Sequence, residues 1–453
     1  MPTPSPTPLA GFGLPYWLDL PRPRFATLDR PTTVDVAIVG SGIAGLKLAR
    51  CLTRHGMTSL ICEATVVGNG ASGRNQGTID HGPNLGYEEA IGLYSRQIAR
   101  DLWQLGLENH RLIREQIADY AIACDYNQDG MTYLVRRDIP GGEERQAAYL
   151  ADFKLLREDG FDVDWLEAPE ATATVRAPRG IYSAGFRYNT DAQFHSGKYV
   201  FGLAQGVARS PKVKLCEGVQ VRKIERRGNA VRLETSAFPI EASSVFLATN
   251  ALAPQFVPEL ERALRAERGQ VRVTAPLPDR PCAGSFGTSM AWWRELPLPD
   301  GRFRLLFGGG RTRDEPDSLF PQFDADGRPD PGLPRGFTPS VAHQRRLDEQ
   351  IAILFPQYRE VEVTHRWGGL QSFTADNFPL VGCFDEDRKI YGMAGFCGRG
   401  NCHSDVGAEY LAGKLSGVVS DVEKQYGYLF ERFMKPHRAS ARWGAWKSEK
   451  DPI

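Results

Sequence analysis

The sequence predicts an α/β fold: one domain with a parallel central sheet and a second domain with a mostly antiparallel sheet. Three observations carry that prediction. A β-branched apolar run at residues 34–39 (VDVAIV) leads at once into a glycine cluster and an apolar-striped helix. A second short apolar run at 59–64 (SLICEA) closes this unit within about 30 residues, the span of a βαβ motif. Strands and helices of mixed type then follow until a second glycine cluster at 392–401.

Each element has its own reason. Residues 34–39 read as a strand buried on both faces, as parallel strands are. Residues 43–55 space Leu46, Leu48, Ala49 and Leu52 for a helix, and Gly56 is a natural stop. Residues 88–120 carry Tyr94, Ile98, Leu102, Leu105, Ile113 and Ile117 near helical spacing. Residues 131–137 read as a strand, 198–208 as a helix and 212–215 as a strand. Residues 219–227 and 230–235 alternate like paired strands, and 245–249 (VFLAT) is another buried strand. Residues 270–274 and 303–307 read as strands of the second sheet, with Trp292-Trp293 spanning a strand and one ring buried. Residues 314–339 are rich in Pro, Asp and Gly and predict a long surface loop. A short strand at 390–395 and a helix from 405 to 415 complete the pattern.

Composition narrows the class. The 453 residues hold 55 Lys plus Arg against 55 Asp plus Glu, so net charge is 0 and no basic block marks a nucleic-acid binder. No apolar run reaches the ~18 residues of a spanning helix. The first thirteen residues (MPTPSPTPLAGFG) lack the basic and apolar regions of a secretory signal and read as a Pro-rich flexible arm. Eight cysteines without a C-x-x-C pattern predict free thiols and a cytoplasmic setting.

Gly40-x-Gly42-x-x-Gly45 sits between a strand and a helix, the context a dinucleotide fingerprint requires. Gly40 permits the tight turn, Gly42 the close approach of backbone to a pyrophosphate, and Gly45 the packing of helix on strand. With Ile43 and Ala44, they open a helix whose N–H groups and positive end suit phosphates. Glu63, followed by Ala64, ends the second strand where a carboxylate accepts ribose hydroxyls; an acid there selects FAD or NAD over NADP. The loop Gly70-Ala71-Ser72-Gly-Arg74-Asn75-Gln76-Gly77 presents further backbone N–H groups to an anion or a flavin edge. A Rossmann-like domain follows.

GSGIAG…CEA…GNGASGRNQG resembles the N-terminus of the D-amino-acid oxidase and sarcosine oxidase (DAO) superfamily. HRWGGLQSFTADNFPLVG (365–382), GMAGFCGRGN (392–401), VFLATNALAP (245–254) and RLLFGGG (304–310) resemble later segments of that family, in family order. The nearest flavour resembles γ-glutamylputrescine oxidase-like proteins. The resemblance implies the glutathione-reductase-like DAO fold and FAD as cofactor. Domains are expected as an N-terminal arm (1–33), an FAD-binding domain (34–90, 175–255 and 360–418), a substrate domain (91–174 and 256–359) and a C-terminal tail (419–453). It implies that Gly40, Gly42 and Gly45 hold the pyrophosphate and Glu63 the ribose. Ala71, Ser72, Arg74, Asn75, Gln76 and Gly77 line the flavin, Val221 presents backbone to adenine, and Thr249 belongs to the cofactor site. Phe396, Cys397, Gly398, Arg399, Gly400 and Asn401 contact the flavin pyrimidine edge. The chemistry implied is hydride transfer from a C–H beside an amine nitrogen to flavin N5, then imine hydrolysis. The partners implied are a small amine or amino acid and O2 or another electron acceptor.

The chain departs from the family at several positions. Members that attach FAD covalently use a Cys where this chain has Gln371, or a His near Arg74 and Asn75, so noncovalent FAD is expected. Members acting on N-methyl amino acids bind the carboxylate with an Arg and a Lys; His81 and Cys402 stand there. His81, Gln371, Phe373 and Cys402 are therefore candidate pocket residues, and His81 and Arg399 the candidate catalytic groups. His81 has a titration range suited to acid–base work, and is otherwise structural; Phe373 and Trp367 wall the pocket or pack the core. Fast oxygen-reacting members carry a Lys where Leu306 stands, which leaves oxidase and dehydrogenase open. No metal site is expected. Two rival readings stay open: tailoring of a biosynthetic or carrier- or peptide-bound amine, and a flavin-binding subunit docking through the arm or the tail with Trp443 and Trp446.

Overall fold

The computed structural model describes residues 13–176, 178, 180–289, 291–312 and 335–436. β1 (Thr32–Val39), α1 (Ile43–Arg54) and β2 (Ser59–Glu63) form the expected βαβ unit. Then follow β3 (Thr78–Ile79), α2 (Tyr87–Leu93), α3 (Arg96–Asp119), β4 (Met131–Arg136), α4 (Gly142–Glu158), β5 (Val163–Glu167), α5 (Ala168–Val175), β6 (Tyr182–Tyr188) and β7 (Ala192–Gln193). α6 (Ser196–Ala208) leads into β8 (Val213–Glu217), β9 (Val221–Arg227), β10 (Ala230–Thr235) and β11 (Ile240–Leu247). The chain continues through β12 (Arg265–Thr274), β13 (Ser285–Gly287), β14 (Ala291–Pro297), β15 (Phe303–Thr312), α7 (Val341–Leu354), β16 (Val363–Phe373), β17 (Leu380–Asp385), β18 (Ile390–Ala394), α8 (Gly400–Ser416) and α9 (Asp421–Leu429).

The first sheet runs β17-β18-β11-β1-β2-β8, with β10 on β11 and β9 on β10. Its centre is parallel: β1 pairs β11 and β2, β11 pairs β18, and β2 pairs β8. Val36, Ala37 and Ile38 of β1 are fully buried, as helices covering both faces of a parallel strand require. α1 is buried from Ile43 to Leu52, and Gly56 ends it at φ 77°, the left-handed stop its sequence predicted.

The second sheet runs β16-β12-β15-β14-β13-β4-β6-β5 and is antiparallel except for β13 beside β4. Of the pair Trp292-Trp293, Trp293 is the fully buried ring, stacked between Phe286 and Phe307 at 6.0 and 5.9 Å. Two strands fall outside the expected division. β6 and β16 lie in stretches assigned to the FAD-binding domain, yet both pair in the second sheet. β16 runs antiparallel along all of β12, from Arg265 opposite Phe373 to Thr274 opposite Val363, and β6 lies between β4 and β5. Period-2 alternation shows that a segment is a strand; it does not say which sheet takes it. We therefore assign the two units by sheet, with Tyr182–Tyr188 and Val363–Phe373 in the second.

The arm is a strap where it is described. Trp17 is fully buried, its Nε1 donates to Asn75 O at 2.6 Å, and Gly13 N donates to Arg366 O at 2.7 Å. The flexible reading covers residues 1–13, of which Gly13 alone is described; Trp17 anchors the chain just beyond them. Residues 1–12 lie outside the described residues, as do 314–334 of the expected surface loop and Trp443 and Trp446 of the tail. The described part of the tail packs inward, with Phe430 stacked on Tyr410 at 4.3 Å. Among the described residues no helix is long and apolar enough to cross a membrane. All eight cysteines are free thiols.

Candidate functional site

A cavity of about 1040 Å³ runs between the two sheets. Its walls are the glycine turn, the end of β2, the loop 70–77, the start of β9, the residues after β11, and the loop 396–401. Of the expected cofactor residues, Gly40, Gly42, Ile43, Ala44, Glu63, Ala64, Gly70, Ala71, Ser72, Arg74, Asn75, Gln76, Gly77, Val221, Thr249 and Phe396 through Asn401 all line it. Gly45 does not. A Cβ there would overlap the Gly40 carbonyl oxygen and lie 3.0 Å from Ile38 Cγ2. Its place is helix-on-strand packing, as its position in the motif implies.

The glycine turn is held from both sides. Gly40 sits at φ 103°, and a Cβ on it would stand 3.0 Å from Ala248 O. Ser72 Oγ accepts from Ile43 N at 2.9 Å, closing one N–H of the first turn of α1. Glu63 is braced at both oxygens: Ser41 N and Oγ donate to Oε2 at 3.1 and 2.8 Å, and Thr65 N donates to Oε1 at 2.9 Å. Val219 N donates to Glu63 O at 2.8 Å, which brings Val221 to the same end of the cavity.

Arg74 and Asn75 are turned to building the loop. Arg74 Nε and Nη2 donate to Asn69 O and Oδ1, and Nη1 donates to Gly368 O at 3.1 Å, tying the loop to β16. The Phe337 ring covers its guanidinium at 4.7 Å, and burial pulls its pKa down to about 10. Asn75 Nδ2 donates to Ala71 O and Ser72 O, while its Oδ1 accepts from Gly77 N and Ser196 Oγ, each at 2.7 Å. Gly77 takes φ 82°, and its carbonyl accepts from the buried Arg294 Nη1 at 2.8 Å.

The far loop is shaped by left-handed residues. Cys397 has φ 52° and Gly398 φ 83°, a conformation costing roughly 1–3 kcal/mol at a non-glycine residue. Cys397 N donates to Ser372 O at 2.9 Å, and Arg399 N closes the turn on Phe396 O at 2.7 Å. Asn401 Nδ2 donates to Thr78 O, and Asn109 Nδ2 to Asn401 O, both at 2.7 Å. The loop thus ends at the N-terminus of α8, a positive helix end facing the cavity.

Among the expected pocket residues, Gln371 and Phe373 line the cavity and His81 and Cys402 do not. Both of the latter are buried behind its wall. His81 Nδ1 turns away to Asp191 Oδ1, and burial pushes its pKa down. His81 thus stands behind the cavity wall with Nδ1 engaged by Asp191, and not at the cavity surface where the expectation put it. Arg399 does reach the cavity. Its Nη1 lies 3.2 Å from Asp80 Oδ2 and its Nη2 donates to Tyr133 OH at 3.1 Å. Trp367 packs in the core, with Nε1 donating to Arg74 O at 3.0 Å. Leu306 is buried with Trp17, Val271 and Trp367 and does not line the cavity.

Several site residues left no sequence signal. Asp80, Tyr133, Thr288, Trp292 and Phe337 line the cavity from separate segments. His81, His110 and Asp191 bring possible ligand atoms within 4.8 Å of one another, although no metal site was expected. These atoms are engaged within the protein: His110 Nε2–H donates to Asp80 O at 3.1 Å, and His81 bonds Asp191. No spacing rule joins positions 81, 110 and 191.

The residues present fit a dinucleotide. Gln76 Nε2 and Thr249 Oγ1 are buried on the cavity wall without a hydrogen-bond partner in the structure, and buried polar groups ordinarily have one. A Cβ on Gly42 would stand 2.9 Å from Ser72 Oγ, so bare backbone is what keeps the phosphate end open.

Comparison with known proteins agrees. Residues 35–414 match the DAO family, described as FAD dependent oxidoreductase. Gamma-glutamylputrescine oxidoreductase of Escherichia coli (strain K12) is 28% identical over 409 residues, covering 86% of this chain and 84% of that protein. Probable oxidoreductase OrdL of Rhizobium meliloti (strain 1021) is 26% identical over 390 residues, covering 84% and 82%. The crystal structure of glycine oxidase from Geobacillus kaustophilus superposes with a TM-score of 0.69 at 20% identity, covering 86% of this chain and 96% of that one.

Proposed function

The chain belongs to the DAO family of FAD-dependent oxidoreductases, and on that premise we propose that it oxidises a C–N bond of an amine or amino acid, using noncovalently held FAD. The observation that carries the proposal is the single cavity joining Glu63, the glycine turn, loop 70–77 and loop 396–401 to a wall of substrate-sized groups. FAD, when bound, supplies the two-electron acceptor for a hydride leaving the carbon beside nitrogen.

The protein's part is binding, orientation and exclusion of water. The N-terminus of α1 would hold the pyrophosphate, and Glu63 would accept from the ribose hydroxyls. Loop 396–401 and the N-terminus of α8 stand at one edge of the cavity, where the positive end of the helix would stabilise developing negative charge. Trp292, Phe337, Leu370 and Phe373 give the opposite wall an apolar surface. At the family's covalent-attachment positions stand Gln371, Arg74 and Asn75, none of them a thiol or an imidazole; Cys402 is behind the wall, and the cavity-lining Cys397 donates to Gly395 O. The imine product then needs only water to give a carbonyl compound and a free amine or ammonia. Free thiols throughout accord with a reducing, cytoplasmic setting.

Acid precipitation of the purified protein, followed by turnover assays on the native form, tests the proposal. All FAD is expected in the supernatant, and an active amine is expected to yield equal amounts of aldehyde or oxo acid and reduced acceptor. Flavin left in the pellet would overturn noncovalent binding; an oxidised product without a carbonyl compound would overturn C–N oxidation.

A further inference from the structure

We infer that the substrate end of the cavity selects amines that lack an α-carboxylate, because the one cation that the described residues place there is already neutralised by a carboxylate of the protein. The inference rests on the amine-oxidising reading above and narrows its substrate class.

Five charged side chains line the cavity among the described residues: Glu63, Arg74, Asp80, Arg222 and Arg399. Glu63 and Arg222 stand at the adenosine end, and Arg74 is engaged by Asn69 and Gly368. Asp80 and Arg399 therefore set the charge of the other end. They pair at 3.2 Å with side chains only 15% and 16% exposed, and Tyr133 OH takes a second Arg399 nitrogen.

The pair is held in place from behind. His110 fixes the Asp80 carbonyl, Asn401 fixes the Thr78 carbonyl two residues earlier, and His81 next to Asp80 is held by Asp191. Arg399 is the N-cap of α8, so its backbone is fixed as well. A carboxylate entering here meets a guanidinium with no net attraction left, and meets Asp80 as a like charge. An ammonium or amine meets the reverse. Asp80 Oδ1 is buried without a hydrogen-bond partner in the structure, an acceptor that a nitrogen donor satisfies and a carboxylate does not.

The test is titration of the FAD-loaded enzyme with benzoate and acetate, read by perturbation of the bound flavin's visible spectrum, beside anaerobic reduction by putrescine, glycine and D- and L-alanine. The native protein is expected to show no saturable carboxylate perturbation and to be reduced by the amine alone. Asp80→Asn frees Arg399 and is expected to bind benzoate at least about tenfold more tightly. Asp80→Asn with Arg399→Gln is expected to lose that gain. Benzoate binding to the native protein, reduction by the amino acids, or no gain in Asp80→Asn overturns the inference. Should Asp80→Asn not fold, the native titration decides. If neither amines nor amino acids reduce the flavin, the amine-oxidising reading fails, while the titration still reports the charge of the pocket.

Discussion

Lys47 is the residue whose replacement should be felt furthest from its own position. It lies on α1 two residues after Gly45, with its side chain 0% exposed, and it pairs with Asp405 on α8, which is 1% exposed. Its Nζ also donates to Ser404 Oγ at 2.9 Å, and Ser404 lines the cavity. Gln116 of α3 donates to Asp405, Tyr199 of α6 donates to Gln116 Oε1 at 2.7 Å, and Asp405 N donates to Asn109 Oδ1 at 2.9 Å. Four helices therefore meet on one buried ion pair. Burial pulls the Lys47 pKa down and pushes the Asp405 pKa up, the desolvation that makes such a pair costly to break and nearly neutral to replace. Lys47→Met leaves a buried carboxylate without its cation, at about 3–5 kcal/mol. With an unfolding entropy of roughly 2.1 cal/mol/K per residue, that lowers Tm by about 3–5 °C for a chain of 453 residues. Lys47→Met with Asp405→Leu should be less destabilised than the sum of the two single variants, by a coupling of about 0.5–3 kcal/mol. Thermal unfolding followed by circular dichroism, with flavin fluorescence as a second probe, measures both. A single variant within ~0.5 kcal/mol of the native protein, or a double variant equal to the sum of the singles, would refute the reasoning.

Other outcomes follow from particular contacts. Gly45→Ala drives a Cβ onto the Gly40 carbonyl; it should cost about 1–3 kcal/mol and lower the ratio of bound FAD to protein, read from absorbance. Trp17→Ala removes a fully buried ring and the bond to Asn75 O, at about 3–5 kcal/mol; flavin retention after gel filtration should fall with it, and unchanged retention would show that the strap does not brace the loop. His403 is 2% exposed on α8 and burial, with Arg399 adding to it, pushes its pKa down to about 3. The unfolded chain takes up this proton near pH 6.5 and the folded chain refuses it until about pH 3. Stability is lost as pH falls through that window, by up to about 1.4 kcal/mol per pH unit. His403→Gln should flatten that part of the stability curve measured by denaturant titration, and an unaltered slope would contradict it.

Local signals in the chain were the ones that held. β1, α1 and β2 follow from apolar period, glycine positions and a terminal acid, all within one βαβ unit. The residues lining the glycine-rich end of the cavity were legible because loops 40–45, 70–77 and 396–401 carry their glycines in sequence. The substrate end did not follow. Asp80, Tyr133, Trp292 and Phe337 come from four distant segments: Tyr133 and Trp292 lie on β4 and β14 of the second sheet, Asp80 just after β3 and Phe337 before α7, and only the tertiary fold brings them together. His81 misled for the same reason: its titration range suits catalysis, but its partner Asp191 lies 110 positions away and turns it inward. Trp17 was hidden by the prolines around it, and β16 by its position at the crossing from second-sheet strands to β17 of the first sheet.

The central claim is that this cavity holds FAD beside an oxidisable amine. Anaerobic mixing of the FAD-loaded protein with polyamines, N-methyl amino acids and D- and L-amino acids measures it directly. One class, the amines, is predicted to bleach the flavin's visible absorbance, and admitting air then separates oxidase from dehydrogenase by how quickly colour returns. Bleaching by dithionite but by no member of the panel would contradict the account.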